Sequence, residues 1–470
     1  MAQMHELTLT QARACLVRGD FSCEDYVRAL LARADAAAAL NALNAQDRDA
    51  LVAAAVALDR NGGARATARP LAGIPIALKD NIDTVALPTT GCTGALQGKR
   101  PSRNAPVAQA LFDAGALLAG KANMHELAFG ITTNNALTGA ARNPYDPRMI
   151  PGGSSGGSAV AVGARIVPAA LGTDTGASVR LPAALCGVIG FRPTVGRYPG
   201  SGIIPISHTR DTPGPIARSM ADICLLDGIM AADRSPEEPA SLEGLRLGLP
   251  LRYFHAGADP QVTAVIDTAL ALLRQAGVEL IEAEVTSLQE FNDAAGFPIV
   301  LYELQHDLPA YLAAAGYPMT LAEVAAGIRS PDVAGIVGSQ LGDQAVPRAA
   351  YEAALAARVR LQATYADYFR SNRVDAMIFP TAILPARPIG DDLTVELNGA
   401  RVPTFHTYIR NTDPGSNAGL PGISLPAGLT PEGLPVGIEL DGPAGSDARL
   451  LALARALEAV LPTLPAPVLR

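Results

Sequence analysis

Three stretches of the sequence hold residue types that can do chemistry, and none of them has the spacing of a metal site. The first is the loop Gly152-Gly153-Ser154-Ser155-Gly156-Gly157-Ser158. As an isolated Gly/Ser loop it reads as a flexible turn. As a phosphate loop it lacks the Gly-Lys-Ser/Thr ending that brings a lysine to the phosphates. As a nucleophile elbow it fits G-x-S-x-G over residues 152–156. An elbow needs a strand before it, however, and Asn143-Pro144-Tyr145-Asp146-Pro147 and Pro151 stand there instead. It also needs an acid and a late histidine, for which Asp375 and His406 are the best-ordered pair.

The second stretch is Gly172-Thr173-Asp174-Thr175-Gly176-Ala177-Ser178-Val179-Arg180. Its plain reading is a turn between elements. A tight Gly/Ala turn can also aim several backbone N–H groups at one point beside the Ser178 hydroxyl, as an oxyanion hole requires. Asp174 and Arg180 are placed to pair and pin that turn. The third feature is Lys79, at the end of the apolar run Gly73–Lys79. Such a lysine is ordinarily solvated at a strand end. Yet of 37 basic residues only Lys79, Lys99 and Lys121 are lysines. Arginine cannot be deprotonated in a protein, whereas a buried lysine can. Burial lowers a lysine pKa by as much as ~3–5 units, and a neutral amine is a competent general base. Beside two hydroxyls and no carboxylate, nothing would oppose that shift.

These residues must be held by elements, and the pattern supplies alternating helices and strands. Thr10 is placed to cap a helix to Arg18, with Gly19 as its stop, and Ser22 with Asp25 to cap the next. Ala36–Leu58 reads as a helix pair, ended by Asn61-Gly62-Gly63. Gly73–Lys79 reads as a buried strand, Pro106–Ala114 as a helix, and Ala116–Ala119 as a short strand. Pro147–Gly157 is a loop, Ser158–Val167 a small-residue helix, and Val167–Gly172 a strand running into the turn Thr173–Ala177. Further on, Leu245–Leu249, Val278–Glu284, Ala376–Phe379, Gly422–Leu425 and Val436–Leu440 read as strands. Pro260–Ala276, residues 289–370 and Asp447–Leu461 read as helical. This alternation predicts an α/β fold layered around one sheet. No repeat and no long linker divides it.

Bulk composition narrows the partners. Hydrophobic residues form 49% of the chain, enough for a sizeable core. The net charge of −8 and the absence of a basic block argue against nucleic acid. No apolar run approaches the ~18 residues of a membrane span, and Met1–Arg18 lacks the apolar stretch of a signal peptide. Cys15, Cys23, Cys92, Cys186 and Cys224 are odd in number and without paired spacing, which fits free thiols in a reducing cytoplasm.

Read together, GIPIALKDNIDT around Lys79, PGGSSGGSA around Ser154 and GTDTGASVRLPAALCGVIGFRPT around Ser178 resemble the amidase signature family. The resemblance covers roughly Leu71–Arg218, with a second stretch over Asn411–Gly442. It implies one domain over residues 1–470: N-terminal helices at 1–65, a signature core at 71–218, a variable substrate-site region at 245–400, and the C-terminal part of the core at 411–470. The implied fold is a twisted mixed sheet between helical layers. The implied catalytic set is Ser178 as nucleophile, Ser154 as bridging serine after a cis peptide bond, and Lys79 as base. Thr175, Gly176, Ala177 and Ser178 would offer the oxyanion-hole N–H groups, supported by Asp174, Arg180 and Ser155. No metal and no cofactor is implied. Where the family commonly has glycine before the nucleophile this chain has Ala177, whose Cβ would crowd the acyl group or resist a positive φ.

Within that family, MHELAFGITTNN (Met124–Asn135), PISHTRDTPGPIARS (Pro205–Ser219) and RNTDPGSNAGLPG (Arg410–Gly422) are similar to the mandelamide and indoleacetamide hydrolase branch. The resemblance implies a primary aryl or arylacetic amide as substrate, hydrolysed to acid and ammonia. It puts Ala128, Phe129 and Ile131 against that substrate, with further contacts from residues 289–345. His125 and His208 are then structural or pocket residues. Aryl esters, anilides and carbamates are the alternative substrates on the same residues, and a glutaminase subunit of an amidotransferase is the alternative setting. A cytoplasmic enzyme that acts alone or as a homodimer is the expected form.

Overall fold

The computed structural model describes residues 3–233 and 238–469. Its centre is an 11-stranded mixed sheet. From edge to edge the strands are Leu43–Ala45, Leu117–Ala122, Pro75–Lys79, Ala169–Asp174, Thr212–Ala217, Ile189–Arg192, Gly422–Leu429, Pro435–Asp441, Ala376–Pro380, Arg246–Leu249 and Glu279–Glu282. Pro75–Lys79 runs parallel to both neighbours, and the five strands from Ala169–Asp174 to Pro435–Asp441 pair antiparallel. Ala376–Pro380, Arg246–Leu249 and Glu279–Glu282 restore a parallel group.

The central strands are buried throughout, which is why their sequences are apolar runs without alternation. Helices cover them. Gly156–Gly163 packs on Pro75–Lys79 and Ala169–Asp174, and its wholly buried, small-residue surface lets it lie close. Arg180–Leu185 packs on Ile189–Arg192 and Pro435–Asp441, and Pro260–Gln275 and Asp447–Glu458 cover Gly422–Leu429. A separate apolar cluster ties Met124, Leu127 and Phe129 to Leu304 and Leu308 of the 27-residue helix Leu288–Ala314.

Several elements differ from the sequence reading. The first helix, Leu9–Arg18, is capped by Thr8, which with Gln11 forms a capping box; Thr10 instead donates to the Asp222 carboxylate. Ser22 caps Cys23–Ala36 as expected. Ala36–Leu58 is not a helix pair: Asn41 adopts φ 51°, Leu43–Ala45 joins the sheet edge, and a helix resumes at Arg48 under an Asp47 cap. Thr212–Ala217 and Ile189–Arg192 are strands that the sequence reading missed. Pro213 and Pro215 disguise the former. It is paired along its length with Ala169–Asp174 but on its other side only at Ile216 and Ala217, so the prolines meet no demand for a donor there.

Candidate active site

Two neighbouring parallel strands end at the same level, and each delivers a polar residue there. Pro75–Lys79 ends in Lys79, and Ala169–Asp174 carries Thr173 and Asp174. Between them lies the 152–158 loop. Its glycines are explained by close approach: a Cβ at Gly156 would lie 2.3 Å from Thr133 Oγ1, and one at Gly172 would lie 2.7 Å from Ser155 Oγ. Thr133 Oγ1 donates to Gly152 C=O at 2.8 Å and accepts from Gly156 N–H, which stitches both ends of the loop to one hydroxyl. The Gly153–Ser154 peptide bond is cis.

Lys79 is fully buried. Its Nζ lies 2.8 Å from Ser154 Oγ and 2.8 Å from Thr173 Oγ1. Asn81 Nδ2 donates to the same Thr173 hydroxyl at 3.0 Å. Burial lowers the lysine pKa to about 7, against the weaker pull of the Asp174 and Asp211 carboxylates. The expectation that no carboxylate opposes the shift is therefore corrected: two do, and desolvation outweighs them. Ser155 joins the loop to the following turn, its N–H donating to Ser178 C=O at 3.2 Å and its Oγ to Thr173 C=O at 3.1 Å. The Ser178 hydroxyl faces the pocket and has no hydrogen-bond partner among the described residues, so the Ser154 and Ser178 hydroxyls are not bonded to each other in this state.

The turn Asp174–Ser178 is pinned from beneath by charge. The Asp174 carboxylate accepts from Val179 N–H at 3.0 Å and from Arg180 Nε at 3.1 Å, and pairs with Arg192 at 3.2 Å. Burial would raise its pKa, but the two guanidinium groups hold it below the ordinary carboxylate range. Arg180 reaches on to Glu439 at 2.6 Å and to Ser416 Oγ, all of it buried. Burial raises the pKa of the nearby Asp441 well above normal, against the pull of Arg180 and Arg192. With Val179 and Arg180 N–H taken by Asp174, the N–H groups of Thr175, Gly176, Ala177 and Ser178 are left without an acceptor among the described residues. All four residues line one pocket.

That pocket holds about 610 Å³ of space, open mouth included. Its apolar wall includes Phe129, Ile131, Ile206, Phe297, Phe405 and Ile409. Ala128, Phe129 and Ile131 line this pocket, and residues 289–345 contribute Gly296, Phe297, Val300, Leu301 and Ile336. Phe405 and Ile409 come from the helix Thr404–Ile409, beyond that region. Ala177 is 1% exposed, packs with Ile131 and Leu181, and is not among the residues with positive φ. The turn does not ask for glycine there, so the expected backbone conflict is absent.

Four residues around the site escaped the sequence reading. Thr173 and Asn81 sit at the ends of the strand and loop already singled out, next to the lysine. Arg210 lies on the pocket wall in an ion pair with Asp413, and its Nε donates to Thr175 C=O at 3.2 Å. Arg192 donates to Arg210 C=O at 2.8 Å and is fully buried. The only signal for these two was an arginine inside an otherwise apolar or turn-rich segment. The elbow reading is not assembled: Asp375 pairs with Arg449 at 2.9 Å, while His406 lies tilted against Phe297 at the pocket's outer mouth. His125 pairs with Asp332 at 2.9 Å. His208, Glu303 and Asp307 form the one group among the described residues with metal-ligand closeness. Glu303 there already accepts from Ser207, Thr209 and Tyr351, as a hydrogen-bonded bracket does.

The chain resembles known proteins over nearly its whole length. The family described as Amidase matches residues 25–451. An indoleacetamide hydrolase of Rhizobium radiobacter is 51% identical, over 96% of each chain. A mandelamide hydrolase of Pseudomonas putida is 43% identical, over 98% of this chain and 93% of that one. Among solved structures, one described as an amidase superposes with a TM-score of 0.87 at 33% identity, covering 97% of this chain and all of the other. The peptide amidase of Stenotrophomonas maltophilia gives a TM-score of 0.83 at 28% identity, covering 99% of both.

Proposed function

The chain belongs to the amidase family and hydrolyses linear amides to acid and ammonia, and from that premise we propose that Lys79, Ser154 and Ser178 carry the reaction on a primary arylacetic amide. The observation that supports the assignment most is the contact of a fully buried, near-neutral lysine with Ser154, one loop away from a serine on the wall of an apolar pocket.

Neutral Lys79 takes a proton from Ser154 as the Ser178 hydroxyl turns toward Ser154 and gives up its own. Ser178 Oγ attacks the amide carbon. The developing oxyanion is met by the N–H groups of Thr175–Ser178, which are preorganised because Asp174 has already tied down the two N–H groups that follow. The proton returns through Ser154 to the nitrogen, the C–N bond breaks, and ammonia departs. Water then cleaves the acyl-enzyme over the same relay. Asp174, Arg180 and Ser155 touch no substrate in this scheme; they hold the turn and the loop in register.

Phe129, Phe297 and Phe405 suit the pocket to a flat ring, and Ala128 and Ile131 complete the wall. Indoleacetamide and mandelamide, the substrates named for the two relatives, both present an aryl ring one carbon from the amide. This favours an arylacetic amide over glutamine, whose charged α-amino and carboxylate groups would lie among the phenylalanines, with the lining residues Arg210 and Asp413 already paired to each other. No helix of the described residues is long and apolar enough to cross a membrane. Our reading places the enzyme in the cytoplasm, where its five cysteines stay as thiols, and leaves room for a homodimer, which gel filtration reads directly. The test of substrate class is ammonia release by purified protein from indoleacetamide, mandelamide, phenylacetamide and glutamine, beside release of the phenol or aniline from an aryl ester, an anilide and an aryl carbamate. Arylacetic amides should lead in kcat/KM. Faster turnover of glutamine, or of the ester or carbamate, would displace this reading.

A further inference from the structure

The N–H groups of Thr175, Gly176, Ala177 and Ser178 have no acceptor among the described residues, yet the carbonyl of each peptide they belong to has a donor. Asp174 C=O accepts from Arg192 Nη1. Thr175 C=O accepts from Arg210 Nε at 3.2 Å. Gly176 C=O accepts from Arg180 Nη2 and from Ser416 Oγ, both at 3.1 Å. Ala177 C=O accepts from Leu181 N–H at 2.8 Å. None of these peptides is cis. In a trans peptide the N–H points opposite to the C=O. A donor behind each carbonyl therefore fixes the direction of the N–H on the far side. A positively charged donor also polarises the peptide and strengthens that N–H.

The Thr175–Gly176 peptide most needs this hold. Its plane rotates about ψ of Thr175 and φ of Gly176, and a glycine opposes such rotation least. The glycine serves a close approach: a Cβ there would lie 3.1 Å from Asp413 Oδ1 and 3.6 Å from Arg210 Nη2. Arg210 is buried and held at both ends. Its guanidinium pairs with Asp413, and its own C=O accepts from Arg192 Nη2 at 2.8 Å. Arg180 and Arg192 also pair with Asp174, so they hold the turn as a whole. Arg210 bonds to the turn only at Thr175 C=O among the described residues.

We propose that Arg210 is a positioning residue for the oxyanion hole: through Thr175 C=O it holds the Gly176 N–H toward the oxygen that becomes negative in the transition state. The inference rests on the Ser178 nucleophile and hole of the preceding subsection. A merely structural Arg210 would keep the pocket wall in place with Asp413 and nothing more. The two roles differ in what they stabilise. A residue that orients the hole acts on the charged tetrahedral state, whereas a wall residue acts on the aryl group in every state.

Two ketones of similar shape separate these roles. Benzyl trifluoromethyl ketone is open to attack: Ser178 Oγ bonds to the carbonyl carbon, the Ser178 proton passes through Ser154 to Lys79, and the carbonyl oxygen takes the negative charge in the hole. Benzyl methyl ketone fills the pocket without that step. Losing an oxyanion-hole donor outright costs ~10²–10³-fold in kcat, and a donor left in place but free to swing costs part of that. Arg210→Met should lower kcat for phenylacetamide about tenfold to a hundredfold and raise Ki for the trifluoromethyl ketone by a similar factor. Ki for the methyl ketone should stay within about threefold of the parent. Arg210→Lys carries the test if the methionine variant does not fold. It keeps a charge opposite Asp413 but has no Nε to leave at Thr175 C=O, so its kcat should fall at least about tenfold with the same split between the ketones. A folded Arg210→Met, or in its place Arg210→Lys, whose kcat falls less than about tenfold overturns the assignment, as does one that loses both ketones equally. A parent enzyme that binds the two ketones alike overturns the Ser178 attack itself, a different failure.

Discussion

Replacing Lys79 by arginine keeps a positive charge in place and removes the ability to give it up. Burial brings the Lys79 amine to about 7, so near pH 7 about half of the molecules hold it neutral. Arginine, with a pKa above ~12, leaves fewer than about one molecule in 10⁵ neutral. A positioned general base is worth typically ~10²–10⁴-fold. The rate of Lys79→Arg should therefore fall at least ~10²-fold, about 3 kcal/mol in barrier. Because the active form is the deprotonated one, parent kcat/KM should rise as pH increases toward 7 and level off above it, and the variant should lack that limb. The same shift makes the lysine a stability cost. The unfolded chain keeps its proton up to ~10.4, whereas the native state sheds it at about 7. Between those values the unfolded state binds more protons, so the cost is full below about pH 7, roughly 5 kcal/mol, and fades as pH climbs toward ~10.4. Lys79→Met should thus be inactive and melt higher than the parent near neutral pH. The assays are initial-rate pH profiles from 5.5 to 9.5 (a range of roughly four units, enough to span the shift) and thermal melts at both ends. A folded Lys79→Arg within about tenfold of the parent, a change of only ~1.4 kcal/mol, would refute the neutral-lysine relay.

Ser178→Ala should abolish both turnover and labelling by a fluorophosphonate, and mass spectrometry of the labelled parent should find the adduct on Ser178; an adduct on Ser154 would reverse the two roles. Ser154→Ala should keep the melting temperature within a few degrees and lower kcat by ~10²–10⁴-fold, since it removes a proton carrier and not the attacking atom. Arg180→Met should destabilise by about 3–5 kcal/mol in a denaturant titration, because Asp174 and Glu439 lose a shared buried partner; a loss under ~1 kcal/mol would mean that Arg192 alone holds the turn. Ala177→Gly should cost about 1 kcal/mol through backbone freedom and a lost buried methyl, with kcat/KM of an arylacetic amide within about threefold of the parent; a large gain in rate would show that the methyl crowds the acyl group after all.

The candidate site was legible because it sits in local patterns. Lys79 announced itself as one of three lysines, and the Ser154 loop and Ser178 turn each concentrate glycine where the chain must pass close to itself. Thr173 and Asn81 were one and two residues from positions already under scrutiny, but nothing in the order of residues says that a threonine hydroxyl will face a lysine on the next strand. The pocket was harder still. Phe129, Ile206, Phe297 and Phe405 meet only because four distant segments converge, and none has a spacing that marks it. The strand Thr212–Ala217 was hidden by its prolines, and Leu43–Ala45 by alanine neighbours that favour helix. In both, tertiary pairing overrode the local preference.

The order of strands in the sheet has a consequence for biosynthesis. Ile189–Arg192 takes Gly422–Leu429 as a neighbour, and Arg180 pairs with Glu439. A growing chain that has emerged through residue 400 carries all three residues of the proposed relay, yet one edge of Ile189–Arg192 is bare and Arg180 lacks its second carboxylate. At ~5–20 residues per second the last stretch takes seconds to arrive. Throughout that interval an apolar strand edge is on offer to other nascent chains. Ribosome-bound intermediates of this enzyme should accordingly be clients of chaperones that shield hydrophobic segments, and truncations ending before residue 422 should aggregate instead of yielding a smaller, weaker amidase.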